Sequence, residues 1–178
     1  EKYGFKIIED ASHAIGGVYK NTKIGSCKFS DITVFSFHPV KIITTAEGGC
    51  ATTNDENIFE KLKLLSSHGV TRNPKNMVNK TVDKWVYDQI SIGFNYRMSD
   101  LNAALGLSQL LRIDSFINKR NKIAKKYFQQ LKNLDLKLPK QEDYNSSALH
   151  LFPIQVNNRK KIYNLLHRNG IKVNVHYR

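Results

Sequence analysis

Residues 31–49 read DITVFSFHPVKIITTAEGG, and this segment is the most informative part of the sequence about the fold. Its first part, DITVFSF at 31–37, is a short run rich in β-branched and aromatic residues, which is typical of a strand covered on both faces. The polar residues that follow it include Lys41, and the pair Gly48-Gly49 allows a tight turn into the next apolar segment. The stretch therefore predicts a buried strand that ends in a loop carrying reactive groups.

Strand and helix patterns alternate around this stretch. An apolar run at 3–8 predicts a buried strand, and 49–53 predicts another. Thr53 and Glu56 have the spacing of a capping box at the start of a helix, which Gly69 can close in a left-handed conformation. This alternation predicts the α/β fold class.

The second half of the chain predicts a long loop, a long helix and a small α/β unit. The loop covers 70–93, with an extended piece near 85–87, and Ser99 caps a helix that continues to Lys132. The small unit is expected to contain a strand at 148–156, a helix at 159–169 closed by Gly170, and a strand at 171–177.

Composition excludes several classes of protein. The 178 residues are 40% hydrophobic, which is too apolar for a disordered tail, and no apolar run approaches the roughly 18 residues of a membrane helix.

The formal net charge is +13, but residues 1–100 hold 13 basic against 11 acidic residues and residues 101–178 hold 15 against 4. Because the charge lies mainly on a solvated helix face, we predict no nucleic-acid partner. Cys27 and Cys50 form no CxxC pair and suit reduced thiols of a cytoplasmic protein.

Polar groups stand at the ends of the first two predicted strands. Asp10 follows the first strand, and Ser36 and Lys41 lie at and after the second. Ligands of open α/β sheets bind beyond the carboxyl ends of strands, so this placement indicates a site. Each residue also has a simpler explanation, since a loop lysine is usually solvated and an aspartate after a strand usually caps a turn.

Four ordered motifs together resemble one family. They are EDASHA at 9–14, DITVFSFHPVKIITTAEGG at 31–49, the pair His68-Gly69, and GFNYRM at 93–98. The chain resembles the DegT/DnrJ/EryC1/StrS sugar aminotransferases, which are fold type I enzymes that use pyridoxal 5'-phosphate (PLP). HPVK and the segment LGLSQL at 105–110 are most similar to the branch of pseudaminic acid synthesis.

The resemblance implies a domain organisation. Residues 1–110 would be the C-terminal part of the PLP-binding large domain with a mixed, mostly parallel sheet, 111–134 a linking helix, and 135–178 the start of a small C-terminal α/β domain. Because strand patterns lie at both ends of the chain, we expect both ends to be cut, and a signal peptide could not be observed.

The resemblance also implies roles around the cofactor. Lys41 would bind PLP as a Schiff base and then move the proton as the catalytic base. Asp10 would pair with the pyridine nitrogen, and Ser36 would donate to the cofactor phosphate. His13 would contact the ring hydroxyl, although it can equally cap a local turn. Asn95 would reach the phosphate of the neighbouring subunit, so a homodimer is expected.

Other polar residues of the motifs are candidates for the sugar pocket, with roles not assigned. They are His38, Glu47, Arg97, His150 and Tyr177. The six histidines show no HxxxH or HExxH spacing, so no metal is predicted.

The expected reaction of the complete enzyme moves an amino group from L-glutamate to C4 of a UDP-4-keto-6-deoxy-N-acetyl hexose. Three alternatives stay open. The substrate could be another nucleotide 4-keto sugar, such as the precursor of 4-amino-4-deoxy-L-arabinose. The chain could be an inactive truncated fragment, and a basic nucleic-acid-binding module is the weakest alternative.

Overall fold

The computed structural model describes residues 3–78 and 83–177, so part of the predicted loop at 70–93 lies outside the described residues. The strands and helices follow in chain order: β1 (Ile8–Asp10), β2 (Val18–Tyr19), β3 (Thr22–Lys23), β4 (Ile32–Ser36), β5 (Gly49–Thr52), α1 (Glu56–Ser66), β6 (Val70–Thr71), β7 (Asp88–Gln89), α2 (Asp100–Leu110), α3 (Ile113–Leu131), β8 (Asn145–Ser146) and α4 (Arg159–Arg168). None of the described helices is long and apolar enough to cross a membrane.

The central sheet has the order β1-β4-β5 and is mixed. Strand β1 runs parallel to β4, whereas β5 runs antiparallel to it, with Ser36 opposite Gly49. Thr33 and Phe35 are buried on one face of β4, but Val34 on the other face is 37% exposed. The α/β class with a mixed sheet is confirmed, while the expectation that β4 is covered on both faces is wrong for this chain.

The strand predicted at 3–8 is shorter and more exposed than expected. It begins only at Ile8, and Tyr3 and Phe5 are 72% and 68% exposed. Strand β1 lies at the edge of the sheet and pairs only with β4 among the described strands. Apolar sequence alone therefore did not bury this segment, because burial needs a second packed layer.

Helix α1 begins differently from the prediction and ends as predicted. Asp55, not Thr53, is its N-cap, and the Asp55 carboxylate accepts hydrogen bonds from the amides of Asn57 and Ile58. The Thr53 hydroxyl instead donates to the carbonyl of Asp31, which ties the helix start to β4. Gly69 closes the helix at φ +69°, and its amide donates to the carbonyl of Leu64.

The segment after α1 contains a small ladder that the sequence did not predict. Strand β6 pairs with β7, whereas the extended piece was expected near 85–87. Ser99 caps α2 as predicted, because its hydroxyl accepts from the amide of Asn102. The prediction of a single long helix is wrong, since α2 and α3 are separate helices with a break at Leu111 and Arg112.

The C-terminal unit keeps its helix but not its strands. Helix α4 and the closing Gly170, at φ +77°, agree with the prediction. No strand forms at 148–156 or 171–177, and the first of these ranges has only an isolated bridge between Lys137 and Gln155. A strand requires a neighbour that stays hydrogen-bonded over several residues, and the described part of the chain supplies only the single bridge at Gln155.

Candidate functional site

The end of β1 presents a charged carboxylate. The Asp10 Oδ1 atom accepts hydrogen bonds from the Ser12 hydroxyl at 2.6 Å and the Ser12 amide at 3.0 Å. These bonds hold the pKa of Asp10 below its ordinary value, and the nearby charges of His13 and Lys41 act in the same direction. The carboxylate is therefore ionised at neutral pH and partly exposed at the sheet edge.

The loop that carries Lys41 starts at the end of β4 and folds back, so that its last residues bond to Phe37 at the same strand end. The Phe37 amide donates to the carbonyl of Gly48 at 2.8 Å, and the Phe37 carbonyl accepts from the Thr45 amide at 3.0 Å. Directly after Lys41, Ile42 and Ile43 are buried and anchor the loop in the core. A rigid base therefore holds the lysine beyond the strand end.

Helix α2 supports this loop through hydrogen bonds between its side chains and the loop backbone. The side-chain amide of Asn102 donates to the carbonyls of Thr45 and Glu47, and the Gln109 side chain accepts from the Thr44 amide at 3.1 Å. Gly106 faces the buried Thr45, and a Cβ there would lie 2.7 Å from the Thr45 methyl carbon. Only a glycine permits so close an approach of α2 to the loop.

The Lys41 amine is half-buried and available for chemistry. It forms no hydrogen bond or ion pair with any residue that the structure describes. Its charge nevertheless lowers the pKa of Asp10, His13 and His150, so the four side chains share one region. The structure thus brings together four of the residues that the sequence analysis selected.

Two histidines from distant parts of the chain pack against each other in this region. The rings of His13 and His150 lie 4.4 Å apart between centroids, with planes tilted by 44°. Burial lowers the pKa of both rings, and the pKa of His150 falls to about 4. The positive charge of Lys41 adds to the effect on both rings, so both imidazoles are neutral at neutral pH.

Asn95 and Arg97 lie in a second cluster at the end of α1. The Arg97 guanidinium donates to the Asn95 side chain at 3.0 Å and lies 3.5 Å from a ring nitrogen of His68. The His68 amide donates to the carbonyl of Phe94. No hydrogen bond or ring contact within 3–78 and 83–177 joins this cluster to Asp10 and Lys41.

Four further candidates take positions around the Lys41 loop or apart from it. The Ser36 hydroxyl lies at the end of β4 and accepts from the His38 amide at 3.4 Å, while His38 Nδ1 accepts from the Val40 amide at the same distance. Glu47 contributes its backbone carbonyl to the contact with α2, and its side chain is exposed. Tyr177 is 75% exposed and touches only the ring of His176 edge-on among described aromatic residues.

The residues that support the site were not among the sequence predictions. Ser12 belongs to an Asp-x-Ser turn pattern, which could have indicated its bonds to Asp10. Arg120 and Asn121 on α3 hold the segment of His150, and no sequence signal indicated this, because the contact joins distant parts of the chain. The described residues contain no group of three or more histidine, cysteine or acidic side chains that could hold a metal ion.

The family model of the DegT/DnrJ/EryC1/StrS aminotransferases matches residues 1–178. The chain belongs to this family. It is 40% identical, over 184 aligned residues, to the UDP-4-amino-4,6-dideoxy-N-acetyl-beta-L-altrosamine transaminase of Campylobacter jejuni, and the match covers 100% of this chain and 46% of that protein.

Solved structures of the family have the same fold. PseC of Helicobacter pylori, an aminotransferase involved in the biosynthesis of pseudaminic acid, is 37% identical with a TM-score of 0.86, covering 99% of this chain and 46% of PseC. The PLP form of the sugar aminotransferase Spr1654 of Streptococcus pneumoniae is 33% identical with a TM-score of 0.84, covering 97% and 44%. A partial fold type I PLP-enzyme domain is therefore confirmed as the fold, and PLP as the cofactor of the family.

This family member spans about half the length of the relatives that it matches. The shared half includes Asp10, Ser36 and Lys41, with the sheet edge on which they lie. What those longer proteins bind and catalyse is therefore a basis for proposals about this chain.

Proposed function

We propose that this chain supplies the lysine-bearing half of a PLP-dependent sugar-nucleotide aminotransferase. The observation that carries the proposal is the grouping of the ionised Asp10, the unpaired Lys41 amine and the paired histidines at the carboxyl ends of β1 and β4. Parallel neighbouring strands place their ends at one sheet edge, where α/β proteins bind cofactors.

The chemistry of these side chains suits PLP. The group needs a carboxylate for its ring nitrogen, an amine for its aldehyde and hydroxyl or amide donors for its phosphate, and Asp10, Lys41 and Ser36 are of those types. When bound, PLP supplies an aldehyde that exchanges amino groups and a ring that withdraws an electron pair from a neighbouring carbon.

Asp10 would hold a proton on the ring nitrogen. Its carboxylate stays ionised at neutral pH because two Ser12 hydrogen bonds favour the charged form. A negative charge at fixed distance stabilises a cationic N–H partner more than a neutral acceptor would. The preset charge therefore favours the protonated ring without further rearrangement of the protein.

Lys41 would anchor the cofactor and move the proton. Its amine has no internal partner in the described part of the chain, so no existing bond must break before it reacts. The buried Ile42 and Ile43 and the contacts of Asn102 hold the lysine backbone while the side chain swings. A single residue can thus accept a proton and return it at a nearby carbon.

For the substrate, we propose L-glutamate as donor and a UDP-4-keto-6-deoxy-N-acetyl hexose as acceptor. The support is the similarity to the altrosamine transaminase of Campylobacter jejuni and to PseC. Another nucleotide 4-keto sugar, such as the 4-amino-4-deoxy-L-arabinose precursor, is the second candidate. His38, Glu47, Arg97 and Tyr177 are the residues that we propose for the sugar side, whereas the ring of His150 is packed against His13.

We also propose that two copies of the chain form the working unit. Helix α2 and its C-cap leave apolar side chains in solvent, and Leu101 and Leu111 are 86% and 90% exposed. Ile92 is 89% exposed just before the cluster of Asn95 and Arg97. A second copy that covers this apolar area would also bring Asn95 to the partner's cofactor.

A specific observation favours one competing function, an inert fragment. Tyr3, Phe5 and Ile8 are each more than 60% exposed, so the segment that leads into β1 has no apolar cover among the described residues. A chain with this open face would fold without holding PLP tightly.

One experiment separates these possibilities. The chain is incubated with PLP, reduced with borohydride, and digested for peptide mass spectrometry, alongside Lys41→Arg and the matched surface variant Lys23→Arg. Arginine keeps the charge but cannot form the covalent bond, so label on the Lys41 peptide should vanish only in Lys41→Arg. Label spread over several lysines, or unchanged in Lys41→Arg, contradicts the proposed anchor.

The donor and acceptor are tested by turnover with competing UDP-4-keto sugars and L-glutamate. A preference for the N-acetyl hexose supports the proposed substrate, whereas a preference for the pentose supports the second candidate. A folded chain that shows neither specific PLP labelling at Lys41 nor turnover of either sugar favours the inert fragment.

A further inference from the structure

The imidazole of His150 is placed by its backbone rather than by its own hydrogen bonds. The Arg120 guanidinium donates to the carbonyls of Leu149 and His150 at 3.2 and 3.4 Å, and the Asn121 side chain donates to the carbonyl of Ser147 at 3.1 Å. Ala148, in the middle of this segment, is fully buried. Helix α3 therefore sets where the ring of His150 lies.

One ring nitrogen of His150 has no hydrogen bond to the described residues. The Nδ1 atom of His150 is buried and has no hydrogen-bond partner among the described residues. Burying an unpaired polar atom is unfavourable, and a phenylalanine in the same place would avoid that loss. His150→Phe therefore keeps the packed ring and removes the unpaired atom, which makes it a control for the packing itself.

The partner ring, in contrast, is open to a ligand. His13 is exposed, and its ring nitrogens form no hydrogen bond within the described ranges 3–78 and 83–177. It follows Asp10 by three positions and lies within electrostatic reach of Lys41. His150 therefore packs against the one histidine that stands directly beside both proposed cofactor groups.

We propose that His150 is a positioning residue, which fixes the plane of the His13 ring so that His13 offers a neutral nitrogen to the cofactor's ring oxygen. Arg120 in turn positions His150. The identity of the ligand rests on the proposed function, whereas the packing of the two rings does not.

The charges around the pair keep both rings unprotonated. Four basic groups act on His150, each from a different element. They are His13 in the turn after β1, Lys41 in the loop after β4, Arg120 on α3 and His176 in the C-terminal segment. Each of these groups, when positively charged, opposes a proton on His150, and Asp10 is the acid that acts on His13 in the opposite direction. Two charged imidazoles in contact would also repel each other.

The test follows the ring protons of both histidines by NMR from pH 8 to about 3.5 in the cofactor-free chain. In the wild type, His150 should titrate at about 4 and His13 below 6.5. His150→Ala should shift the His13 midpoint upward toward 6.5, because it removes the ring that desolvates His13. His150→Phe keeps the packed ring and should leave the His13 midpoint lowered.

Arg120→Ala gives an independent reading, with the exposed Lys122→Ala on the same helix as its control. Arg120 bonds to the carbonyls of Leu149 and His150 and forms no hydrogen bond with His13 among the described residues. A shift of the His13 midpoint in Arg120→Ala that is absent in Lys122→Ala therefore indicates that the ring of His150 has moved. Lys122→Ala should leave the His13 midpoint unchanged.

A second readout is the visible spectrum of PLP bound to each variant. A pH-dependent spectral shift that moves in His150→Ala and is restored in His150→Phe supports the role toward the cofactor.

An unchanged His13 midpoint in both His150→Ala and Arg120→Ala overturns the proposal. A His13 shift in a chain that takes up no PLP supports the positioning of the ring and contradicts the proposed function alone. If His150→Ala fails to fold, His150→Phe and Arg120→Ala decide.

Discussion

The side-chain amide of Asn102 on α2 donates a hydrogen bond to the carbonyl of Glu47 at 3.0 Å. The same group reaches the carbonyl of Thr45, so one residue ties both ends of a tight turn in the Lys41 loop to a helix. This contact is how the second half of the chain supports a site whose reactive groups lie mostly in the first half.

Asn102→Ala should loosen the Lys41 loop. The change leaves the Thr45 carbonyl without its donor, while the Glu47 carbonyl keeps its hydrogen bond from the Thr45 hydroxyl, and the loss costs about 1–3 kcal/mol of the free energy of unfolding. Urea unfolding measures that loss, and limited proteolysis should show new cleavage near 44–47. Asn57→Ala on the exposed face of α1 is the control and should change stability by less than about 0.5 kcal/mol. Equal stability of the two variants would contradict the support role.

Asp10→Asn should weaken PLP binding while preserving the local turn. An asparagine keeps the oxygen that accepts from Ser12 but loses the charge that favours a protonated ring nitrogen. Because a hydrogen bond to a charged group contributes about 1.5–3 kcal/mol, PLP affinity should fall by roughly tenfold to a hundredfold in spectroscopic titration. Asp10→Ala also loses the turn, so it should lower stability as well. Undiminished affinity in Asp10→Asn would remove Asp10 from the cofactor site.

Gly69→Ala and Gly170→Ala form a matched pair at two helix ends. Both glycines have positive φ, at +69° and +77°, and an alanine there costs about 1–2 kcal/mol. At Gly69 a Cβ would also lie 1.9 Å from the carbonyl oxygen of Ser91, whereas nothing lies within 4 Å at Gly170. Gly69→Ala should therefore lose about 3 kcal/mol or more, clearly beyond Gly170→Ala, in thermal unfolding. Similar losses would mean that the α1 end can move away from Ser91.

The chain should lose stability as the pH falls from about 6.5 to about 4. His150 is neutral when folded, with a pKa of about 4, but takes up a proton near 6.5 when unfolded. The contribution of His150 to the free energy of unfolding is therefore fully present above pH 6.5. It is lost as the pH falls toward 4, because the unfolded chain then binds a proton that the folded chain does not. His150→Phe should flatten this part of the profile in urea unfolding, and His167→Phe on α4 is the control. An identical slope in the wild type and His150→Phe would contradict the assignment.

Leu111→Ser should weaken the proposed self-association. Burial of one leucine contributes about 1.5–3 kcal/mol, so the dissociation constant should rise by about tenfold or more in sedimentation measurements. Leu165→Ser on α4, where the leucine is 52% exposed, is the matched control and should have little effect. A wild-type chain that stays monomeric at all concentrations would contradict the dimer.

Local features followed closely from residue type. Ser99 at a helix start and Gly69 and Gly170 at helix ends acted as predicted, because caps depend on a few neighbouring residues. Asp55 replaced Thr53 as the α1 cap because the Thr53 hydroxyl is used by Asp31, a contact between segments that no local pattern contains. The break between α2 and α3 was likewise missed.

The family and the mixed α/β class followed from the sequence alone, because they depend on ordered motifs and on the pattern of apolar strands. The reactive side chains chosen from the same motifs stay a prediction. The folded structure, in contrast, places the ring of His150 on His13 with Arg120 holding its backbone, and it puts Asn95 and Arg97 in a separate cluster. It also decided that the strands expected at 148–156 and 171–177 do not form. The reason is physical: a strand or a ring contact exists only where another part of the chain supplies its partner.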